Sequence, residues 1–170
     1  MKKFWCLLVL SVAGIVPAAS AAEFDTTVAM RPTTSTTFYV EGRIAGLGQV
    51  DLMVDTGSGY TTINEEMLAQ LKSVGSVRYV KELRGRLANG SEIEVPVYAI
   101  EALSVGGCWV KDVEAAVFPG STRAILGLNV LQRTAPFIFS FEPPRLVLSN
   151  CSATAEAPAD KLADLAAFAD

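Results

Sequence analysis

The sequence predicts a small all-β barrel, and three observations support this fold class. Short runs rich in β-branched and aromatic residues recur along most of the chain, and glycine-containing turns separate them. Only the segment after Asn64 has the pattern of a clear helix. The chain has 170 residues of which 51% are hydrophobic, which is enough for one compact domain with a substantial core.

The predicted strands begin with a hairpin. Phe38–Ile44 and Gln49–Val54 are its two strands, and the glycines between them form its turn. Ala88-Asn89-Gly90 joins two later strands, and an Asn-Gly pair between such runs strongly indicates a tight hairpin turn. The other strands are expected at 61–63, 79–87, 93–100, 103–105, 109–118, 137–141 and 146–149.

One helix and one mixed segment interrupt the strands. Asn64 is a favourable N-cap, and Glu65 and Glu66 occupy the first turn, where acidic side chains stabilise a helix. An apolar stripe follows and ends before Gly75. The apolar segment 124–131 is expected to be a buried strand that runs into a short second helix.

The first 22 residues are predicted to be a secretory signal peptide. Lys2 and Lys3 precede an uncharged apolar run, and small residues follow Pro17. The alternative is an uncleaved membrane anchor, because the full uncharged stretch is just long enough to span a bilayer. Cleavage predicts a protein that is exported to the periplasm or secreted and that keeps no membrane attachment.

Three regions follow the predicted signal. Residues 23–35 are predicted to be a polar linker, with a loosely held edge strand as the alternative. Residues 36–151 are expected to form the folded domain. The tail, 152–170, is acidic and alanine-rich, and it is expected to be either a weak helix or disordered.

Charge and composition exclude several classes of function. Removal of residues 1–22 takes away two lysines and no acids, so the formal net charge falls from −4 to −6, which disfavours nucleic-acid binding. The chain has no histidine, which excludes Ser-His and Cys-His catalysis and the commonest zinc ligand. We expect no metal site and no cofactor, since the sequence also lacks phosphate-binding and dinucleotide-binding glycine motifs.

The cysteines agree with export. Cys6 lies inside the predicted signal, which leaves Cys108 and Cys151 as a pair in an oxidising compartment. We expect a disulfide between them, with two buried free thiols as the alternative. In the chain-entropy model, such a bridge stabilises the fold by roughly 4 kcal/mol.

Asp55 is the leading candidate for a catalytic residue. An apolar strand ends at Asp55-Thr56-Gly57-Ser58, and a carboxylate beside a core is costly unless its environment gives it a role. The alternative is an ordinary turn in which aspartate is a common turn residue. A second apolar element that ends in glycine, Ile125-Leu126-Gly127, lies downstream and favours the functional interpretation.

In this arrangement the chain resembles the retropepsin-like aspartic proteases, in particular the single-domain bacterial exported type. The hairpin leading into Asp55-Thr56-Gly57-Ser58 carries the first part of the resemblance. Such proteins have a mobile flap where this chain has Ala88, Asn89, Gly90 and Ser91. Ile125-Leu126-Gly127 is similar to the element that closes under the catalytic loop. Together these motifs cover roughly residues 36–151.

The resemblance implies a closed β-barrel of the acid-protease type and an aspartic endopeptidase that acts on peptides or unfolded proteins. The chain has one Asp-Thr-Gly motif, so a pair of catalytic carboxylates requires a homodimer with Asp55 from each protomer. The two carboxylates would activate a water molecule. The alternative is a non-catalytic periplasmic binding or dimerisation module with the same barrel.

The resemblance also assigns supporting roles in the loop. Thr56 would hydrogen-bond to the partner's loop, and Gly57 would supply conformational freedom. Ser58 would donate a hydrogen bond to the outer oxygen of Asp55 and favour its ionised form, which predicts an acidic pH optimum.

Overall fold

The computed structural model describes residues 24–33 and 36–151, and their regular structure is mostly β. The strands are β1 (Phe24–Ala29), β2 (Arg31–Pro32), β3 (Phe38–Ile44), β4 (Gly48–Val54), β5 (Thr61–Asn64), β6 (Val77–Arg86), β7 (Glu92–Val105), β8 (Cys108–Phe118), β9 (Ile125–Leu126), β10 (Ile138–Phe141) and β11 (Pro144–Ser149). The helices are α1 (Glu65–Ser73), α2 (Leu128–Leu131) and a 3₁₀ turn (Gln132–Thr134). A mostly β domain with one or two short helices is therefore confirmed.

Two predictions lie outside the described residues. They are the signal peptide at 1–22 and the choice between helix and disorder in the tail at 152–170. Within the described ranges, no helix has the length and apolar character needed to cross a membrane.

The larger sheet has eight strands in the order β2-β3-β4-β9-β5-β8-β7-β6. Strand β3 also pairs with β7, so that Gly42 lies opposite Val105 and the sheet curls back on itself. Gly42 permits this crossing, because a Cβ there would lie 2.6 Å from Cδ1 of Leu52 and 3.0 Å from the Ser104 carbonyl oxygen. Closure of the curled sheet into a barrel stays a prediction.

The core lies inside this curl. Strand β3 shows why, since Val40, Gly42 and Ile44 point inward while Glu41 and Arg43 point outward, with the period of two that a one-sided strand requires. Helix α1 packs against this core through Leu68 and Leu71, which are both buried. Its N-cap is formed as predicted, because Asn64 Oδ1 accepts a hydrogen bond from Met67 N at 2.9 Å.

The largest departure from the predicted strand boundaries is in β7. Two strands were expected at 93–100 and 103–105, but β7 continues through both, with Ala102 paired to Lys111 of β8. The N–H of Glu101 donates to the carbonyl oxygen of Ser76 at 3.2 Å. An exposed charged residue therefore interrupts the apolar pattern without ending the strand, because its backbone groups remain hydrogen-bonded.

A second sheet of three strands, in the order β1-β11-β10, packs beside the first. Strand β1 belongs to the region predicted to be a linker or an edge strand, and it pairs antiparallel with β11 from Phe24 to Ala29. It lies over the turn at Gly106, where a Cβ would overlap with Cγ2 of Val28. Most of the described part of 23–35 is therefore strand, and it is paired with β11 and β3.

The structure contains the predicted disulfide. Cys108 begins β8 in the large sheet and Cys151 follows β11 in the small sheet, at a sequence separation of 43. Both residues are buried in the main core. The bridge therefore joins the two sheets and limits the entropy of the unfolded chain.

The double substitution Cys108→Ser/Cys151→Ser should lower the free energy of unfolding by about 2–5 kcal/mol, because it releases the closed loop. Urea unfolding followed by the fluorescence of Trp109, which adjoins Cys108, measures the change. A reductant should lower the midpoint of the unsubstituted chain and leave that of the double variant unchanged. Equal midpoints for the two chains without reductant would show that the bridge does not stabilise the fold.

Candidate active site

Asp55 lies directly after β4, and strand β9 fixes its backbone. Val54 pairs with Leu126 in parallel register, and the N–H of Asp55 donates to the Leu126 carbonyl oxygen at 3.2 Å. Two positions earlier, the N–H of Met53 donates to the Ala124 carbonyl oxygen at 3.0 Å. Ile125-Leu126 thus lies beside the strand that carries the candidate acid.

The loop that follows bends back on the carboxylate. The N–H of Gly57 donates to Oδ1 of Asp55 at 2.8 Å, and the N–H of Ser58 donates to the Asp55 carbonyl oxygen at 3.3 Å. A Cβ on Gly57 would lie 3.1 Å from the same Oδ1, so a side chain there would crowd the carboxylate. Asp55 is half-buried, while Thr56 and Gly57 are exposed. One carboxylate oxygen is therefore held by the loop itself.

Ser58 has a different partner from the one that the resemblance implied. Its hydroxyl donates to the carbonyl oxygen of Tyr60 at 2.7 Å, not to Asp55. A hydroxyl has one proton to donate, so this bond uses it within the loop. In the structure of the single chain, Ser58 therefore stabilises the turn that follows Asp55.

The start of α2 hydrogen-bonds to the loop, and Gly127 packs against it. The N–H of Leu128 donates to the Ser58 carbonyl oxygen at 2.8 Å, and the N–H of Asn129 donates to the Gly59 carbonyl oxygen at 3.2 Å. Gly127 packs directly on the peptide between Tyr60 and Thr61. A Cβ at Gly127 would overlap with the Tyr60 carbonyl group and would lie 2.6 Å from Thr61 N. The glycine predicted to close under the loop is thus required by close packing.

Asn129 is a further supporting residue, which the sequence analysis missed. Its Oδ1 accepts hydrogen bonds from Thr61 N at 2.7 Å and from Thr61 Oγ1 at 2.9 Å. Its Nδ2 donates to the Glu114 carbonyl oxygen at 2.6 Å. Thr61 is fully buried, so Asn129 satisfies polar groups that water does not reach. The signal in the sequence was a single polar residue inside the apolar segment 124–131.

The predicted flap is a long hairpin of β6 and β7. Its strands pair from Val77 opposite Ile100 to Arg86 opposite Glu92. At the tip, the N–H of Leu87 donates to the Ser91 carbonyl oxygen at 2.8 Å, and Asn89 Oδ1 accepts from Ser91 N and Oγ. The tip residues Ala88 to Ser91 are exposed and bond among themselves, so the structure does not bring them into contact with Asp55.

Tyr60 connects the candidate catalytic loop to the strands of the flap hairpin. Its ring packs in a small apolar cluster that includes Val80, Leu83 and Ile93 of the flap strands. Lys81 Nζ lies 5.5 Å from the centre of the ring and 2.9 Å from Oε2 of Glu114. Hydrogen bonding to Glu114 and, next, to Tyr60 raises the pKa of Lys81, so the amine stays charged at all ordinary pH values.

A cavity of about 490 Å³ opens beside the candidate acid. Asp55 and Thr56 line one side of it, and Phe38, Phe139 and Phe141 line another. The cavity combines a carboxylate with apolar walls.

The disulfide cysteines, Cys108 and Cys151, are buried in the core that joins the two sheets.

Comparison with known proteins agrees with this geometry. Residues 40–133 match the family of gag-polyprotein putative aspartyl proteases. The chain belongs to this family. Its retropepsin-like fold is similar to the crystal structure of a retropepsin-like aspartic protease from Rickettsia conorii, with a TM-score of 0.51 and 18% sequence identity over 72% of this chain and 87% of that chain. No curated protein matches the sequence.

The substitution Gly127→Ala should lower the free energy of unfolding of this retropepsin-like domain by about 1–3 kcal/mol or more, because the methyl group would overlap with backbone atoms. Gly59→Ala is the matched control, since a Cβ there has no neighbour within 4 Å and Gly59 does not have a positive φ. We expect the control to be neutral or slightly stabilising. Urea unfolding of both variants is the measurement, and equal midpoints would contradict the role of Gly127.

The substitution Asn129→Ala should cost about 1–3 kcal/mol, because it leaves two buried donors of Thr61 without an acceptor. Asn89→Ala is the control. Asn89 Oδ1 also accepts two hydrogen bonds, but at the exposed tip of the flap, where water replaces them. The control should change the free energy of unfolding by less than about 0.5 kcal/mol. Thermal or urea unfolding distinguishes the two variants. A larger loss of unfolding free energy in Asn89→Ala than in Asn129→Ala would overturn the supporting role of Asn129.

Proposed function

We propose that the chain is an exported aspartic endopeptidase. The observation that carries this proposal is the position of Asp55 and its hydrogen bonds. Its backbone is fixed by β9, one oxygen is held by Gly57 N–H at 2.8 Å, and its carboxylate lines an open cavity. Membership of an aspartyl protease family and the retropepsin-like fold support peptide hydrolysis as the reaction.

The active enzyme is a homodimer with Asp55 from each protomer on the two-fold axis. The sequence contains one Asp-Thr-Gly motif. The other Asp-Thr pair, Asp25-Thr26, lies in β1 and is followed by Thr27. A pair of facing carboxylates therefore requires a second copy of the same loop. Thr56, which is exposed beside Asp55, is the residue available to bond to the partner's loop.

Two carboxylates at close range cannot both ionise, so the dyad shares one proton. The ionised member accepts a proton from a bound water, and the water oxygen attacks the carbonyl carbon of the peptide bond. The protonated member donates its proton to the carbonyl oxygen. In the second step the member that is now ionised takes a proton from one hydroxyl of the intermediate, the C–O double bond re-forms, the C–N bond breaks, and the leaving nitrogen receives the proton held by the other member. Each Asp55 thus acts as acid and as base in turn.

The flap hairpin supplies the second part of the site. Closure of its tip over an extended peptide would hold the substrate and exclude bulk water. The Tyr60 ring packs in one apolar cluster with residues of the flap strands. Two exposed ion pairs, Arg84–Glu94 and Arg86–Glu92, lie in the outer half of the hairpin. Peptides or unfolded proteins are the substrate class, in agreement with membership of an aspartyl protease family.

Export is supported by the character of residues 1–22 and by the disulfide. A signal peptide of this type directs a chain across the membrane, and a bridge such as Cys108–Cys151 persists in an oxidising compartment. The periplasm or the extracellular space is therefore the proposed location.

The substitution Asp55→Asn should abolish cleavage of an unfolded protein substrate, with a loss of at least about 10²–10⁴-fold, because it removes the group that transfers protons. Activity of the unsubstituted chain should lie on the acidic side of a scan from about pH 3 to 8, since the dyad loses its shared proton as the pH rises. Release of substrate fragments is the measurement at each pH.

Asp51→Asn is the matched control. Asp51 is on the same strand, but it is exposed, and its ion-pair partner among the described residues is Arg31 at 2.6 Å, a kind of bond worth about 0–1 kcal/mol. This variant should keep full activity. A flat or alkaline profile would contradict the shared-proton mechanism. No turnover at any pH by a folded dimer would favour the binding or dimerisation module.

A further inference from the structure

A second cavity, of about 550 Å³, opens where β3, β7 and β8 meet. Val28 and Ala29 of β1 also line it. Among the described residues, it shares no lining residue with the cavity at Asp55. We call it the β3–β7 cavity. Its size is typical of pockets that hold a small molecule.

Three side chains form a row across the β3–β7 cavity. Arg43 of β3 is paired with Ser104 of β7, and Ser104 is paired in turn with Trp109 of β8. Paired residues on neighbouring strands project from the same face of a sheet. Since neighbouring strands lie about 4.8 Å apart, the row brings a guanidinium, a hydroxyl and an indole to one cavity, which all three residues line.

The turn beside this row leaves space for a ligand. Gly106 and Gly107 connect β7 to β8, and both line the cavity. A Cβ at Gly107 would have no neighbour within 4 Å. The cavity is therefore open next to Ser104 and Trp109.

The Ser104 hydroxyl is the strongest sign of a ligand. Ser104 is 4% exposed, yet its hydroxyl has no hydrogen-bond partner within the part of the chain that the structure describes. In that same part, every side-chain oxygen or nitrogen that is sealed from solvent has a partner. The hydroxyl must therefore reach the cavity that Ser104 lines. A polar group in so buried a residue is normally hydrogen-bonded.

Glu41 and Arg43 bring opposite charges to the same cavity. They lie two positions apart on the outward face of β3, and both line the cavity. Within residues 24–33 and 36–151, neither forms an ion pair. Asp51, which faces Glu41 from β4, is itself bonded to Arg31. The cavity thus has one carboxylate and one guanidinium that are both available to a ligand.

We propose that the β3–β7 cavity binds a free α-amino acid with a large apolar side chain. The carboxylate of the amino acid accepts hydrogen bonds from Arg43 and from the Ser104 hydroxyl. Its ammonium group binds Glu41, and its side chain packs against Trp109 and Val28. This inference does not depend on the catalytic role of Asp55.

The two charges favour a zwitterion over other small molecules. A simple anion is attracted by Arg43 but repelled by Glu41, and a simple cation meets the reverse. An α-amino acid carries both charges on one carbon, so it can reach two side chains that are neighbours on one strand face. The guanidinium fork matches the two oxygens of a carboxylate, and an indole ring offers a large apolar surface.

The first test compares ligands by isothermal titration calorimetry on the full chain. The probes are L-phenylalanine and L-leucine. The matched controls are N-acetyl-L-phenylalanine, which lacks the ammonium charge, and L-phenylalaninamide, which lacks the carboxylate. We expect each control to bind at least about 10-fold more weakly than L-phenylalanine, because a charged hydrogen bond is lost. Equal binding of either control, or no binding of both probes at millimolar concentration, would overturn the proposal.

The second test uses variants of the cavity. Arg43→Gln and Glu41→Gln should each raise the Kd for L-phenylalanine by at least about 10-fold, and Ser104→Ala by about 3–10-fold. Arg78→Gln is the control, since Arg78 is exposed on β6 and does not line this cavity, so its Kd should not change. An unchanged Kd in both Arg43→Gln and Glu41→Gln would place the binding elsewhere and overturn the proposal.

Urea unfolding separates a loss of binding from a loss of folding. L-phenylalanine should raise the midpoint of the unsubstituted chain, because it binds the folded state, and should raise that of Arg43→Gln much less. Without ligand, Ser104→Ala should keep the unsubstituted midpoint, since its hydroxyl has no bond within the described chain to lose. A clear fall in that midpoint would show that the hydroxyl has a structural role and would overturn its role as ligand donor.

The Asp55→Asn chain distinguishes this site from the candidate active site. It should bind L-phenylalanine with the unsubstituted Kd even though it cleaves no peptide. A loss of binding in Asp55→Asn would assign the amino acid to the cavity at Asp55 and overturn the inference. Binding that depends on Arg43 and Glu41 in a chain without peptidase activity would support the β3–β7 cavity and refute the proposed function alone.

Discussion

The close packing of Gly127 against the peptide between Tyr60 and Thr61 is the constraint on which the site depends. Since no side chain separates the two segments, α2 begins directly under the loop and its first N–H groups reach the carbonyl oxygens of Ser58 and Gly59. The same approach brings β9 alongside β4, where it accepts the N–H of Asp55. The position of the acid is therefore set by a segment far away in the sequence.

Glu114 extends this support to the flap. Its carbonyl oxygen accepts from Asn129, which holds Thr61 behind the loop, and its carboxylate binds Lys81 at the base of the flap. Strand β8, which contains Glu114, lies between β5 and β7 and is rigidly paired on both sides. The same strand, β8, therefore supports both the loop and the base of the flap. The part of the hairpin beyond Lys81 carries the exposed ion pairs Arg84–Glu94 and Arg86–Glu92.

Local signals explain which parts were predictable from the sequence. Period-two runs gave the strands, Asn89-Gly90 gave the flap turn, and Asn64 gave the start of α1. Pairings between distant segments were not predictable, because nothing in β1 specifies β11 as its partner. The continuous β7 and the role of Asn129 were missed for the same reason. Ser58 shows the limit of resemblance, since its hydroxyl is used inside its own loop.

The outer strands β6 and β10 differ in the charge of their side chains. Natural β proteins protect open edges with charged residues, as β6 does with its arginines and lysine. Strand β10 keeps an uncharged, aromatic edge next to Asp55 in spite of the risk of aggregation.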